Sequence, residues 1–168
     1  GWAASALADA EWVQVAGLLR TDFPAETIAA LARDGRRLLL DAQGVVRLGT
    51  TGPLGEDANV DPAIFRELAI LTMNELEAQA LVGGTDPDRL RSLGVAEVVL
   101  TRASRGAVAV TDGQATEIPA ARVEGAVDPT GAGDSFALVY LEARSRGAEP
   151  AEAGAYAAGV VAELIARP

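Results

Sequence analysis

Asp128-Pro129-Thr130-Gly131-Ala132-Gly133-Asp134-Ser135-Phe136 is a run of small residues that ends in a carboxylate where a helical pattern begins. The segment before it, Val123 to Val127, is short and partly apolar, and Ser135 to Arg146 carries apolar residues at helical spacing. The run is therefore the joint between an extended segment and a helix, and its glycines let the backbone come close to a ligand. A helix starting near Asp134 places roughly half a positive charge there, together with amides that have no helical partner, and phosphate oxygens suit that setting. Asp134 is an acceptor-only group beside this anion site, placed to take a proton from an attacking hydroxyl. Together these features point to phosphoryl transfer to an alcohol. An isolated Gly-x-Gly-Asp also reads as an ordinary helix start, with Asp134 capping amides and the glycines making a tight turn.

Upstream of this joint the pattern is that of a parallel sheet. Trp12 to Ala16 is an apolar strand candidate, Pro24 to Arg33 a helix, and Arg37 to Asp41 a leucine-rich strand, which gives strand, helix, strand. Thr50 to Asp61 is rich in glycine and turn formers and reads as a loop. Pro62 to Leu68 then reads as a helix and Ala69 to Thr72 as extended. Glu75 to Val82 and Pro87 to Leu93 predict two short helices, and Glu97 to Thr101 a buried strand. Gly106 to Thr111 pairs with Ala115 to Ile118 through Asp112-Gly113, a hairpin signal. Downstream, Pro150 to Ala166 is alanine-rich at helical spacing and packs against the sheet beside the helix after Asp134. Asp41, Asn74, Thr101 and Asp128 all fall at or just after strand ends. Open α/β sheets bind ligands at the carboxyl ends of their strands, so these four polar residues converge on one rim.

Composition narrows the chemistry. The 168 residues include no cysteine and no histidine, and all 14 positive charges are arginine. Disulfides, thiolate metal sites and the commonest general base are thereby excluded, as is a P-loop, which needs its lysine. A net charge of −10 argues against a general nucleic-acid binder. No apolar run approaches the roughly 20 residues that span a membrane, and no signal core follows the start, so the expected location is cytoplasmic.

Taken together, Asp128, Thr130, Gly131, Ala132, Gly133 and Asp134 resemble the signature of the ribokinase-like, or PfkB, family of carbohydrate kinases. The resemblance implies an α/β fold, Rossmann-like, with a mostly parallel sheet flanked by helices. It implies transfer of the γ-phosphoryl group of magnesium-bound ATP to a hydroxyl of a sugar or sugar-like alcohol, with Asp134 as base and Gly131, Ala132 and Gly133 as the anion hole. Asn74-Glu75-Leu76-Glu77 resembles the family's Asn-x-x-Glu motif, which implies a place for Asn74 near the nucleotide phosphates and for Glu77 in the magnesium network, through water. Thr101-Arg102-Ala103-Ser104-Arg105-Gly106 resembles the Thr-x-Gly-x-x-Gly nucleotide turn, which implies nucleotide contacts from Thr101, Arg102, Ser104 and Gly106, beside Gly133. Ala103 stands where the middle glycine is expected and is strained if that position needs a positive φ.

By the same resemblance, Asp128 and Thr130 match positions that bind a monovalent cation such as K+. Asp41-Ala42-Gln43-Gly44 with Arg47 looks like a segment that follows a core strand in some sugar kinases, in a structural or substrate-flanking role. The resemblance covers nearly all of residues 1–168 as a single domain but only the later part of a family chain. The part that carries the sugar-binding aspartate, a glycine pair and a lid has no match. This reads as a fragment of a longer kinase, with a catalytically inactive nucleotide-binding remnant as the alternative, and an incomplete sheet leaves an unpaired edge that invites self-association. A nicotinamide-binding fold fits less well, since Phe136 stands where its fingerprint needs glycine.

Overall fold

The computed structural model describes residues 6–49, 55–123 and 129–166. Its centre is a six-stranded sheet in the order β1-β2-β3-β4-β5-β6, formed by Trp12–Val15, Arg37–Asp41, Leu68–Asn74, Glu97–Thr101, Ala107–Thr111 and Gln114–Ile118. β1 to β4 run parallel, while β5 and β6 return antiparallel through the Asp112-Gly113 turn, where Gly113 has φ 91°. The strand order follows the chain, so crossovers of one hand put their helices on one face. Those helices are α1 (Ala25–Leu31), α2 (Gln43–Val46), α3 (Ala63–Arg66), α4 (Glu75–Val82) and α5 (Pro87–Arg91). The other face is covered by α6 (Ala132–Ser145) and α7 (Pro150–Ile165).

Each central strand is buried on both sides. Leu38, Leu40, Leu71, Met73, Val98 and Leu100 pack under α1 to α5 with Ile28, Phe65, Ala78 and Leu90. Their neighbours Leu39, Ile70 and Val99 point the other way, toward Phe136, Tyr140, Ala153 and Ala157. This explains why the strands read as continuous apolar runs, as parallel strands covered on both faces do.

Three boundaries differ from the sequence reading. Leu68 opens β3 instead of closing a helix, because it is buried in the sheet core beside Leu38. The segment after β2 holds α2, a helix of one turn that the residue pattern does not announce. α6 begins at Ala132, not near Asp134, because Gly131 adopts the left-handed conformation (φ 77°) and caps the helix three residues earlier. Most of the extended segment expected at Val123 to Val127 lies outside the described residues.

Opposite the carboxyl ends, the buried Glu97 accepts hydrogen bonds from Tyr140 Oη (2.6 Å) and from Arg144 Nε (3.2 Å) and Nη2 (2.8 Å). This ties β4 to α6. α7 approaches the sheet closely at Gly154, where a Cβ would lie 2.3 Å from Ile118 Cδ1 and 2.9 Å from its Cγ2. Gly154→Ala is expected to destabilise the fold by about 1–3 kcal/mol through overpacking, despite the roughly 1 kcal/mol that alanine gains over glycine in a helix. Urea denaturation measures the balance, and a midpoint at or above that of the unaltered chain would refute the close approach.

Candidate functional site

The parallel register fixes the rim. Asp41 ends β2, Asn74 ends β3 and Thr101 ends β4; Asp41 pairs with Thr72, and Asn74 faces Thr101 directly. Asp41 accepts from the Gln43 amide (2.9 Å) and from Thr72 Oγ1 (3.4 Å). Burial raises its carboxyl above the usual carboxylate range despite the Gln43 bond, and the charge of Asp134 adds to the rise. Asp134 of α6 thus acts electrostatically on the rim that β2 forms, which brings the small-residue loop to the strand ends. Asp128, the fourth residue expected there, lies outside the described residues.

Asn74 and Glu77 form a capping box at the start of α4. Asn74 Oδ1 accepts from the amides of Leu76 (2.9 Å) and Glu77 (3.0 Å), and Glu77 Oε2 accepts from the Asn74 amide (2.9 Å). Such boxes satisfy orphan amides reciprocally. Asn74 is exposed, and no described residue accepts from its Nδ2. Glu77 is only 3% exposed, and burial pushes its carboxyl up to about 7, against the opposing Asn74 bond and with help from the charges of Asp41 and Glu56. No group of three or more carboxylates among the described residues is arranged to hold a metal ion.

At the expected nucleotide turn, Thr101 Oγ1 donates to Met73 O (3.2 Å), and Arg102 N donates to Gly106 O (2.7 Å). Ala103 has φ 51°, so alanine occupies the left-handed region that favours glycine. Gly106 is required sterically, since a Cβ there would lie 2.1 Å from Ile118 O. Arg102 is paired with Glu117 and Arg105 with Glu75, which commits both guanidinium groups to carboxylates. Ser104 is exposed and makes no hydrogen bond among the described residues.

The loop before α6 is open. Among the described residues nothing lies within 4 Å of a Cβ built on Gly131 or Gly133, and Thr130, Gly133 and Asp134 are exposed. Ala132, Gly133 and Asp134 are the first three helical residues, whose amides have no acceptor within the helix. The Ala132 amide, one of the expected anion-hole donors, is taken by Pro129 O (3.0 Å).

The arrangement has relatives. Residues 2–168 match the model of the pfkB family carbohydrate kinases. The chain belongs to that family. A cytidine kinase of Thermococcus kodakarensis is 42% identical over 90 residues, which make up 50% of this chain and 32% of the enzyme. Among solved structures, a pyrophosphate-dependent kinase of the ribokinase family, complexed with a pyrophosphate analogue and myo-inositol, superposes with a TM-score of 0.85 at 27% identity. That match covers 98% of this chain and 62% of the other. The Burkholderia thailandensis nucleoside kinase in complex with inosine follows at 0.72 and 26%, covering 95% and 50%. The chain thus spans less than two thirds of each relative's length.

Within this PfkB chain, sequence reasoning missed a set of contacts that hold the rim. Arg20 donates to Val45 O (2.7 Å), Val46 O (3.1 Å) and Asp57 O (2.9 Å), which locks the loop after β1 to the end of α2. Beneath it, Gly17 and Gly44 touch backbone to backbone, with 3.0 Å between a Gly44 Cβ and Gly17 Cα. No local pattern marks these partners, which lie about 25 to 37 positions apart. Only the glycine pair could have hinted at a close approach.

The buried acid gives a pH signature. Folding raises the Glu77 pKa from 4.5 to about 7, so its contribution to stability is fully present below about 4.5 and is lost as pH rises through 7. Glu77→Gln should remove this loss, leaving the variant more stable than the unaltered chain at pH 8 by up to about 3 kcal/mol and similar to it near pH 4.5. Denaturation midpoints across pH 4.5 to 8 provide the measurement; parallel curves for the two proteins would rule out the raised pKa.

Proposed function

We propose that this chain carries the phosphoryl-transfer portion of a kinase that phosphorylates a hydroxyl of a sugar, nucleoside or polyol, with ATP as donor. The observation that carries this reading is Asp134 in the first turn of α6, beside the open Gly131-Ala132-Gly133 loop and within electrostatic reach of Asp41 on the strand-end rim. In the reaction, the acceptor oxygen forms a bond to the terminal phosphorus as the bond from phosphorus to the bridging oxygen breaks. Asp134 takes the hydroxyl proton and the nucleoside diphosphate leaves with the bridging oxygen. Amides at the start of α6 and the positive end of its dipole face the charge that develops on the transferring group, which is the main source of catalysis in such reactions.

Magnesium fits as an ion held mostly by donor phosphates and water, since Glu77 is buried and already bonded and no carboxylate cluster among the described residues offers a complete protein site. When bound, it neutralises phosphate charge. Asn74, exposed and with its Nδ2 unengaged among the described residues, is assigned to the donor phosphates. Thr130 and Asp128 remain the candidates for a monovalent cation.

A second reading, with inorganic pyrophosphate as donor, is favoured by the nucleotide turn. Ala103 sits at φ 51°, and Arg102 and Arg105 are both committed to carboxylates. The superposed kinase at 27% identity is described as pyrophosphate-dependent.

Calorimetric titration with magnesium-ATP and with magnesium-pyrophosphate separates the two donors. Saturable heat with ATP supports the first reading, heat with pyrophosphate alone supports the second, and heat with neither sinks both. In a preparation that phosphorylates its acceptor, Asp134→Asn should leave donor binding measurable and lower kcat about 10² to 10⁴-fold, the usual weight of a general base. An unchanged rate would remove Asp134 from that role. Ala103→Gly should relieve the left-handed strain and raise stability by about 1 kcal/mol, readable as an upward shift in Tm. If it also tightens ATP without changing pyrophosphate affinity, the turn is a nucleotide contact.

A further inference from the structure

We propose that Arg47 is a phosphate-contacting residue of this site, its guanidinium engaging the terminal phosphoryl group of the donor. The inference rests on the phosphotransfer reading above and gives a contact with the donor to a residue whose segment the sequence resemblance assigned only a structural or substrate-flanking role.

The backbone of Arg47 is held firmly. Its amide donates to Gln43 O (3.3 Å) at the end of α2, its carbonyl accepts from the Arg20 amide (3.0 Å), and it forms an isolated antiparallel bridge with Glu56. The side chain is treated differently. It is 26% exposed and Nε is buried, yet it makes no hydrogen bond among the described residues. The carboxylate paired with it, Glu56, lies 3.8 Å from Nε, within ion-pair range but too far for a hydrogen bond. Its charge reaches both Asp41 and Glu77 and favours their ionised forms, yet it bonds to neither. Arg47 therefore stands among the acids of the rim as a cation whose backbone is fixed and whose side chain is held by an ion pair with Glu56 and by no hydrogen bond among the described residues.

The neighbouring arginines are spent. Arg20 is bonded to Val45 O, Val46 O and Asp57, Arg102 to Glu117 although its Nε is as unmet as that of Arg47, and Arg105 to Glu75, so among these four arginines only Arg47 has no side-chain hydrogen bond among the described residues. A buried donor left unmet costs about 1–3 kcal/mol, a cost that persists through evolution where a ligand supplies the partner. An acceptor group that arrives with the substrate beside Asp41 would supply that partner. Carboxylates there would repel an incoming polyanion. A planar fork of five donors matches phosphate oxygens in pairs, and a charge-assisted contact of this kind offsets the repulsion.

The bland alternative is that Arg47 only neutralises Asp41, Glu56 and Glu77. That role needs a charge and no particular geometry, so lysine would serve, and removing the Glu56 charge would leave donor binding unchanged. The test is titration of magnesium-pyrophosphate into the unaltered chain, Arg47→Gln, Arg47→Lys and Glu56→Gln, with Tm recorded for each. The expected results are affinity about 10-fold or more weaker for Arg47→Gln, only partly restored by Arg47→Lys, and a tightening of about 2- to 5-fold for Glu56→Gln, which releases the guanidinium from its competitor. Arg47→Gln that folds and binds like the unaltered chain overturns the inference while leaving the phosphotransfer reading intact. Should Arg47→Gln fail to fold, Glu56→Gln decides alone, and unchanged or weaker binding overturns it. The titration is repeated with magnesium-ATP, and absence of binding of either donor to the unaltered chain defeats the phosphotransfer reading and this inference with it.

Discussion

Two-sided burial of β2, β3 and β4 is the constraint on which the rest of the molecule depends. With apolar helices on both faces, no position along these strands reaches solvent except at their ends. The polar side chains that do lie inside are bound: Thr72 Oγ1 contacts Leu40 O and Asp41, and Glu97 is met by Tyr140 and Arg144. Since the three strands are parallel, their carboxyl ends open at one side. Asp41, Asn74 and Thr101 therefore gather without any contact that selects them individually. α6 crosses beneath the same sheet, and Asp134 in its first turn joins the group because the helix packs there through Phe136 and Tyr140.

The resulting rim is acidic in a chain that is already strongly acidic, with a formal charge of −10. Anion binding here is a local matter decided by short-range donors against a repulsive background. Orphan amides at the start of α6 and the Nδ2 of the exposed Asn74 supply neutral donors. The Glu77 carboxyl near 7 lowers the negative charge that a phosphate would meet at neutral pH, and it can ionise fully once a divalent cation approaches. Burial and capping thus set both the stability of α4 and the electrostatics of the site.

How much of this could be read from the chain varied by element. The parallel strands were legible because apolar residues fill both alternations, and the hairpin because Asp112-Gly113 fits a two-residue turn. The rim residues followed from strand ends alone. α2 was not legible, because Gln43 to Val46 form a single turn whose burial against α4 and the core replaces intrinsic helix preference. The early start of α6 was missed because a left-handed Gly131 and a helix-interior glycine look alike in sequence. Arg20 and its acceptors were invisible for another reason: their pairing is tertiary and carries no periodic mark. Asn74-x-x-Glu77 was read only as a family motif, and the structure adds a complete capping box that the sequence reading did not name.

That double use bears on what kind of site this is. A carboxylate free in solvent can reorient to meet a ligand, but Glu77 is held by the Asn74 amide and Asp41 by the Gln43 amide before any ligand arrives. Ordering entropy at these positions is met by folding, not by binding. The donor half of the rim is therefore preorganised by the caps that end β2 and β3. The loop at Gly131 and Gly133 differs, being exposed and without neighbours among the described residues around its glycines. The backbone is accessible there, while charge is fixed at Asp41, Glu77 and Arg47. On the proposed reading, every group fixed here would address phosphate, proton or cation, so selectivity for one alcohol over another would have to come from residues outside this rim.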